Sequence, residues 1–267
     1  MRRLKWKFGD KAGRRLRGRH RKMVDFVICG TQKGGTSALD AYLRGHPEVC
    51  MAEQKEVHFF NNESFFADGR PDYAGYHSSF SPGETHRFVG EVTPIYMYWD
   101  AAPRRIWEYN PDMKIIVVLR NPIDRAYSHW NMERYRGMED LPFGEAIRNE
   151  EDRCREALPH QHMFHSYVDR GFYTEQLRRL WRYFSREKVL VLRSENLRNR
   201  PQETLDRVFA FIGVDSLEIP EVGEVNAHPY LSEMSQADRD HLRFVFEYEI
   251  RELERMLGWD CGEWLSR

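Results

Sequence analysis

The apolar positions of this chain follow two rhythms. Val24-Asp25-Phe26-Val27-Ile28-Cys29 and Lys114-Ile115-Ile116-Val117-Val118-Leu119 are short, nearly continuous apolar runs rich in β-branched residues, the pattern of strands covered on both faces. Each ends at a glycine or proline signal and is followed by helix-spaced apolar positions. After Gly30, a glycine-containing turn leads to Thr36 or Ser37, either of which can start a helix through Ala38, Leu39, Tyr42 and Leu43 to the stop at Gly45-His46-Pro47. After Leu119, Arg120-Asn121-Pro122 opens a helix from about Ile123 to Tyr135, proline being suited to the first helical position. A weaker third copy predicts a helix over Phe172–Phe184, a strand over Lys188–Leu192 and a helix over Pro201–Ile212 that ends at Gly213. A long helix over about Ser235–Leu257 carries Leu242, Val245, Phe246, Ile250, Leu253 and Leu257 towards the body.

Alternating strands and helices predict an α/β fold with a central, mostly parallel sheet and helices on both faces. No internal repeat or low-complexity linker interrupts residues 23–267, which read as a single domain. Residues 1–22 differ: they hold eleven of the 41 basic residues and one of the 42 acidic ones. A basic, flexible arm therefore precedes an acidic body. The arm lacks the apolar segment of a secretory signal, and no hydrophobic stretch follows Arg2-Arg3 as twin-arginine export needs, so a cytoplasmic protein is expected.

Composition narrows the function classes. A hydrophobic fraction of 41% and an aromatic fraction of 13% exclude a disordered polar chain. The longest apolar stretches fall far short of the ~20 residues of a membrane helix, so no membrane span is expected. The four cysteines, Cys29, Cys50, Cys154 and Cys261, are scattered, favouring neither a disulfide framework nor a zinc knuckle. His160, His162 and His165 lack adjacent cysteine or carboxylate ligands and read as loop histidines that could line a cleft. Arg193-Ser194-Glu195 reads as an ion-pair and capping cluster. Aromatics interleave the arm only at Trp6 and Phe8, so no nucleic-acid partner is expected. Oligomeric state is not legible.

Two loops carry the chemistry. Gly30-Thr31-Gln32-Lys33-Gly34-Gly35-Thr36-Ser37 joins a buried strand to a helix, and such a loop turns backbone N–H groups and the positive helix end towards a phosphate or sulfate. It is not a Walker A sequence, because Lys33 precedes the glycine pair instead of the final Ser/Thr. Arg120 stands at the end of the second strand, where open α/β sheets bind ligands, and Ser128 follows about two turns into the next helix. An arginine fork and a hydroxyl together suit a second phosphate.

In this order the two segments resemble the 5′-phosphosulfate loop and the 3′-phosphate motif of sulfotransferases that use PAPS, 3′-phosphoadenosine 5′-phosphosulfate. Gln32-Lys33-Gly34-Gly35-Thr36 followed by Lys55-Glu56-Val57-His58-Phe59-Phe60 looks like the heparan sulfate and Golgi-type branch and its bacterial relatives, a likeness running from about Asp25 to Asp260. The resemblance implies a P-loop-like, three-layer fold and PAPS as co-substrate without a metal. It implies Lys33 as the catalytic lysine, with Gly30, Thr31, Gln32, Gly34, Gly35, Thr36 and Ser37 around the phosphosulfate and Arg120 and Ser128 on the 3′-phosphate. Chemistry agrees with that role for Lys33, because in-line sulfuryl transfer builds negative charge on the leaving bridging oxygen, which an ammonium stabilises.

An acceptor hydroxyl must also lose its proton. If Lys55–Phe60 is extended, Glu56 and His58 project to one face, and the resemblance makes Glu56 the base, with His58 orienting it. Two departures stand out. Val92 in Gly90-Glu91-Val92-Thr93-Pro94-Ile95-Tyr96 replaces a family lysine, which argues against a heparan-like acceptor, and Glu224–Pro229 replaces the Lys-Gly-Arg loop that closes over the donor, leaving Asn226 or His228 for that task. The expected activity is sulfuryl transfer from PAPS to a hydroxyl of a glycan, a glycolipid, another natural product or a tyrosine. A P-loop nucleotide kinase and a non-catalytic binder of anionic polymers are the alternatives.

Overall fold

The computed structural model describes residues 23–218, 220 and 229–266. The basic arm and the candidate closing residues Asn226 and His228 lie outside the described residues. Five strands, β1 (Phe26–Gly30), β2 (Val49–Met51), β3 (Phe88–Val92), β4 (Lys114–Leu119) and β5 (Val189–Arg193), form one sheet in the order β2-β3-β1-β4-β5. Every neighbouring pair is parallel. The helices are α1 (Thr36–Arg44), α2 (Tyr73–His77), α3 (Ala102–Tyr109), α4 (Pro122–Tyr135), α5 (Phe143–Arg148), α6 (Glu150–Glu156), α7 (Tyr173–Tyr183), α8 (Ser194–Asn199), α9 (Pro201–Ile212), α10 (Gln236–Leu257) and α11 (Gly262–Ser266).

Side-chain alternation along the central strands builds the three layers. Val27, Cys29, Ile115, Val117 and Leu119 face one cluster with Ile106 of α3, Ala126 of α4, Leu177 of α7 and Phe246 of α10. Phe26, Ile28, Ile116 and Val118 face a second with Leu39 and Leu43 of α1, Leu197 of α8 and Phe209 of α9. Both central strands are thus covered twice, as their unbroken apolar runs require. The helix ends follow local chemistry: Asn121 Oδ1 accepts from the Ile123 amide at 3.0 Å at the start of α4, and Gly213, at φ 100°, ends α9.

The hydrophobic pattern does not announce β2 or β3. β2 has only three residues, and β3 contains Gly90 and Glu91 in its centre. A Cβ on Gly90 would lie 2.1 Å from the Phe26 ring, so only glycine lets β3 pack beside β1. Glu91 is fully buried and accepts from the hydroxyls of Tyr76 at 2.6 Å and Thr93 at 2.8 Å. Burial raises its pKa above the ordinary carboxylate value against those hydrogen bonds.

Strand order sets the place of the site. From β1 the chain moves through α1 to edge strand β2 and returns as β3, then crosses β1 to β4 and moves on to β5. The connections leaving β1 and β4 therefore run to opposite faces and open a crevice at their carboxyl ends. The Gly30–Ser37 loop and Arg120 both lie at that crevice.

Candidate active site

The loop after β1 is built tightly onto β4. Thr31 donates both its amide, at 3.0 Å, and its hydroxyl, at 2.9 Å, to the Val118 carbonyl, and the Gly34 amide donates to the Thr31 carbonyl at 2.8 Å. A Cβ on Gly34 would stand 2.2 Å from the Val118 carbonyl oxygen, so any side chain there must push the loop off the strand. Gly34→Ala should lower stability by about 1–3 kcal/mol and weaken anion binding, read by denaturant unfolding and calorimetry. Lys33, at φ 69°, and Gly35, at φ 104°, turn the chain into α1. The N-cap residue Gly35 has no side chain to cap α1 and no acid occupies its first turn, which turns the positive helix end, begun by Thr36 and Ser37, to the crevice.

Lys33 sits in a field of like charge. Burial above all, and then Arg120, Arg136 and Lys55, bring its pKa down to about 8, while Glu133 opposes them. Arg120 reaches the Lys33 carbonyl and the Tyr230 hydroxyl, each at 3.4 Å. Such long contacts leave the guanidinium ready to turn to an anion. Its own carbonyl is pinned by the Tyr173 hydroxyl at 2.9 Å. Ser128, 8% exposed, lies on α4, which starts two residues after Arg120.

Glu56 and His58 do meet, His58 Nε2 standing 3.5 Å from Glu56 Oε2, but not through an extended strand. Lys55–Phe60 is a loop, with Glu56 at φ 63° and His58 at φ 56°. The expected alternation gives way because the Glu56 amide is held by the Val92 carbonyl at 2.8 Å and His58 Nδ1 by Asn61 Oδ1 at 3.1 Å. Burial works to raise the Glu56 pKa, but the hydrogen bond from His58 and the Lys55 ammonium 2.6 Å away bring it down to about 2. Val92 itself is buried in the second apolar cluster.

Arg170 escaped the sequence reading, because nothing local marks it. It is 1% exposed, donates to Gln32 Oε1, to Ser166 Oγ at 2.8 Å and to the Met163 carbonyl at 2.6 Å, and lies 4.8 Å over the Tyr98 ring. The Gln32 side chain is thereby committed to holding the loop. Helix α4 adds buried polar side chains at i, i+4 and i+8: Arg125, His129 and Glu133. His129 Nε2 is 3.7 Å from Glu133 Oε1, and burial drives its pKa well below that of an ordinary histidine. That spacing was legible in the sequence.

Beside Glu56 opens a cleft of about 250 Å³ lined by His58, Asn61, Asn62, Glu63, Trp99, His160 and Met163. The neighbouring histidines serve the loop: His162 Nδ1 accepts from the amides of Phe164 and His165, and His165 Nε2 meets the Met138 carbonyl at 2.8 Å. Arg193 acts structurally, bonding Glu263 at 2.6 Å and the Asp260 carbonyl at 2.8 Å. Among the described residues no group of three or more His, Cys, Asp or Glu is placed to hold a metal ion, and no helix is long and apolar enough to cross a membrane.

A family model described as the sulfotransferase domain matches residues 24–241, which span β1 to the start of α10 and include both loops. The chain belongs to the sulfotransferase domain family. A solved relative of this sulfotransferase-family chain, a sulfotransferase from Alicyclobacillus acidocaldarius, has a TM-score of 0.80 and 30% identity, covering 91% of this chain and 99% of its own. Heparan sulfate glucosamine 3-O-sulfotransferase 6 of Mus musculus is 34% identical over 194 residues, 73% of this chain and 53% of that protein. Membrane-associated sulfotransferase kil1 of Dictyostelium discoideum is 32% identical over 109 residues, 41% of this chain and 23% of that protein. The chain thus spans about half, or less, of the length of these curated relatives.

Proposed function

We propose that this chain transfers the sulfuryl group of PAPS in line to an acceptor hydroxyl of a glycan or other natural product and releases adenosine 3′,5′-bisphosphate. The observation that carries the reading is the convergence, at the carboxyl ends of β1 and β4, of Lys33, Arg120 and an uncapped helix end. In this reading Gly34, Gly35, Thr36 and Ser37 surround the phosphosulfate, Gly30, Thr31 and Gln32 shape the loop, and Arg120 and Ser128 take the 3′-phosphate. Lys33 faces the bridging oxygen that leaves with the electron pair of the broken S–O bond. The position of Lys33 ahead of the glycine pair argues against a Walker-type kinase. The proposal places this activity in a single domain, residues 23–267, behind the basic arm 1–22. Cytoplasmic residence belongs to the same proposal and is checked by fractionation.

Calorimetry without metal tests the donor site. Adenosine 3′,5′-bisphosphate should bind far more tightly than ADP or ATP. Arg120→Ala should weaken it by about 10- to 100-fold, the loss of a charged hydrogen bond. Equal binding of all three nucleotides would remove the 3′-phosphate site from the proposal.

Glu56 is proposed as the base. With a pKa of about 2 it is ionised at neutral pH but holds a proton weakly, so it can take one only as the S–O bond forms and the hydroxyl becomes acidic. Glu56→Gln should lower kcat by about 10²- to 10⁴-fold and leave bisphosphate affinity within about twofold. A matching loss of bisphosphate affinity would make Glu56 a part of the donor site instead.

A further inference from the structure

Resting on the sulfuryl-transfer reading, we infer that the cleft beside Glu56 takes an uncharged sugar ring as the acceptor, with anionic rings excluded by its walls. Position is the first ground. His58 belongs both to the cleft wall and to the Glu56 cluster, so a ring in the cleft comes up against the imidazole that stands 3.5 Å from the carboxylate proposed to take its proton. The second is wall chemistry. Asn61 and Asn62 bring amides, while Trp99 and Met163 bring apolar surface, a combination suited to a ring with hydroxyl edges and C–H faces. At the exposed rim the His160 ring lies nearly parallel to Trp99, 6.0 Å between centroids.

Charge decides the class of ring. Among the described residues no lysine or arginine lines the cleft, whereas the Glu63 carboxylate does. The cations behind it are already engaged. Arg105 forks onto Glu63 at 3.0 and 2.5 Å, Lys55 lies 2.6 Å from Glu56, and buried Arg170 is spent on Gln32, Ser166 and backbone carbonyls. A ring bearing a carboxylate or sulfate would give up water for a wall that offers it the Glu63 carboxylate, with Glu56 behind His58, and no lysine or arginine. Trp99 Nε1 also donates to Glu63 at 2.7 Å, so that acid is held in place. Size limits the occupant further, since about 250 Å³ is below the ~300–1,000 Å³ of sites that enclose a whole drug-sized ligand. One ring enters and the rest of the acceptor stays outside.

The test compares 4-nitrophenyl β-D-glucopyranoside with 4-nitrophenyl β-D-glucuronide, which differ in one carboxylate, by ligand-detected NMR on the full chain with and without adenosine 3′,5′-bisphosphate. The glucoside should bind at least about tenfold more tightly. His160→Lys, which adds a fixed charge at the rim, should narrow that gap by about threefold or more. Equal or tighter binding of the glucuronide, binding of neither glycoside, or a gap untouched by His160→Lys would each overturn the inference. The sulfuryl-transfer reading fails separately, through absence of bisphosphate binding in calorimetry on the same sample, whatever the glycosides do.

Discussion

Lys33→Ala is expected to reduce sulfuryl transfer by about 10²- to 10³-fold, the loss seen when one preorganised donor to a developing oxyanion is removed. Bisphosphate affinity should change far less than in Arg120→Ala, because the bisphosphate lacks the sulfuryl group at which Lys33 acts. The pH profile carries an independent signature. Burial and the neighbouring cations place the Lys33 pKa at about 8, so kcat/KM for PAPS should fall as pH rises through about 8. The same lowering has a consequence for stability. The unfolded chain, with lysine at 10.5, holds more protons than the folded one between about 8 and 10.5, so stability conferred through this group rises with pH across that window. Urea unfolding of wild type and Lys33→Met at pH 7.5 and 9.5 reads the difference. A rate within about tenfold of wild type for Lys33→Ala would take the lysine out of the chemistry.

Arg170→Met is expected to cost about 3–5 kcal/mol of folding stability. The side chain is buried and its guanidinium, although burial lowers its pKa to about 10, remains charged at neutral pH. Removing it leaves Gln32 Oε1, Ser166 Oγ and the Met163 carbonyl without their donor, and an abandoned buried group such as Ser166 Oγ costs about 1–3 kcal/mol, the half-buried two less. Because Gln32 belongs to the donor loop and Met163 to the cleft wall, bisphosphate affinity and acceptor KM should both worsen. Arg170→Lys, which keeps the charge but loses the fork, should recover stability partly and the two affinities only slightly. Denaturant unfolding within about 1 kcal/mol of wild type for Arg170→Met would show that the neighbouring groups find other partners.

The sequence by itself determined the central strands, the helices that cover them and the two anion-directed loops, because these rest on local signals. Continuous β-branched runs demand burial on both faces, and the glycines at 35 and 213 meet backbone demands visible in a short window. The strand Lys114–Leu119 and the helix Pro201–Ile212 fall where the pattern put them. Gly90 and Glu91 concealed β3, since their reasons lie on other elements: the Phe26 ring for one, the Tyr76 and Thr93 hydroxyls for the other. Glu56 and His58 were paired correctly on a mistaken backbone, because the turn joining them is held by Val92 and Asn61 and not by strand alternation. Only the tertiary structure decided that Arg170 holds Gln32 across 138 positions of chain and that the Lys33 pKa falls to about 8. Both are properties of a buried field assembled from distant segments, where desolvation and neighbouring charge outweigh anything a residue's own sequence window specifies.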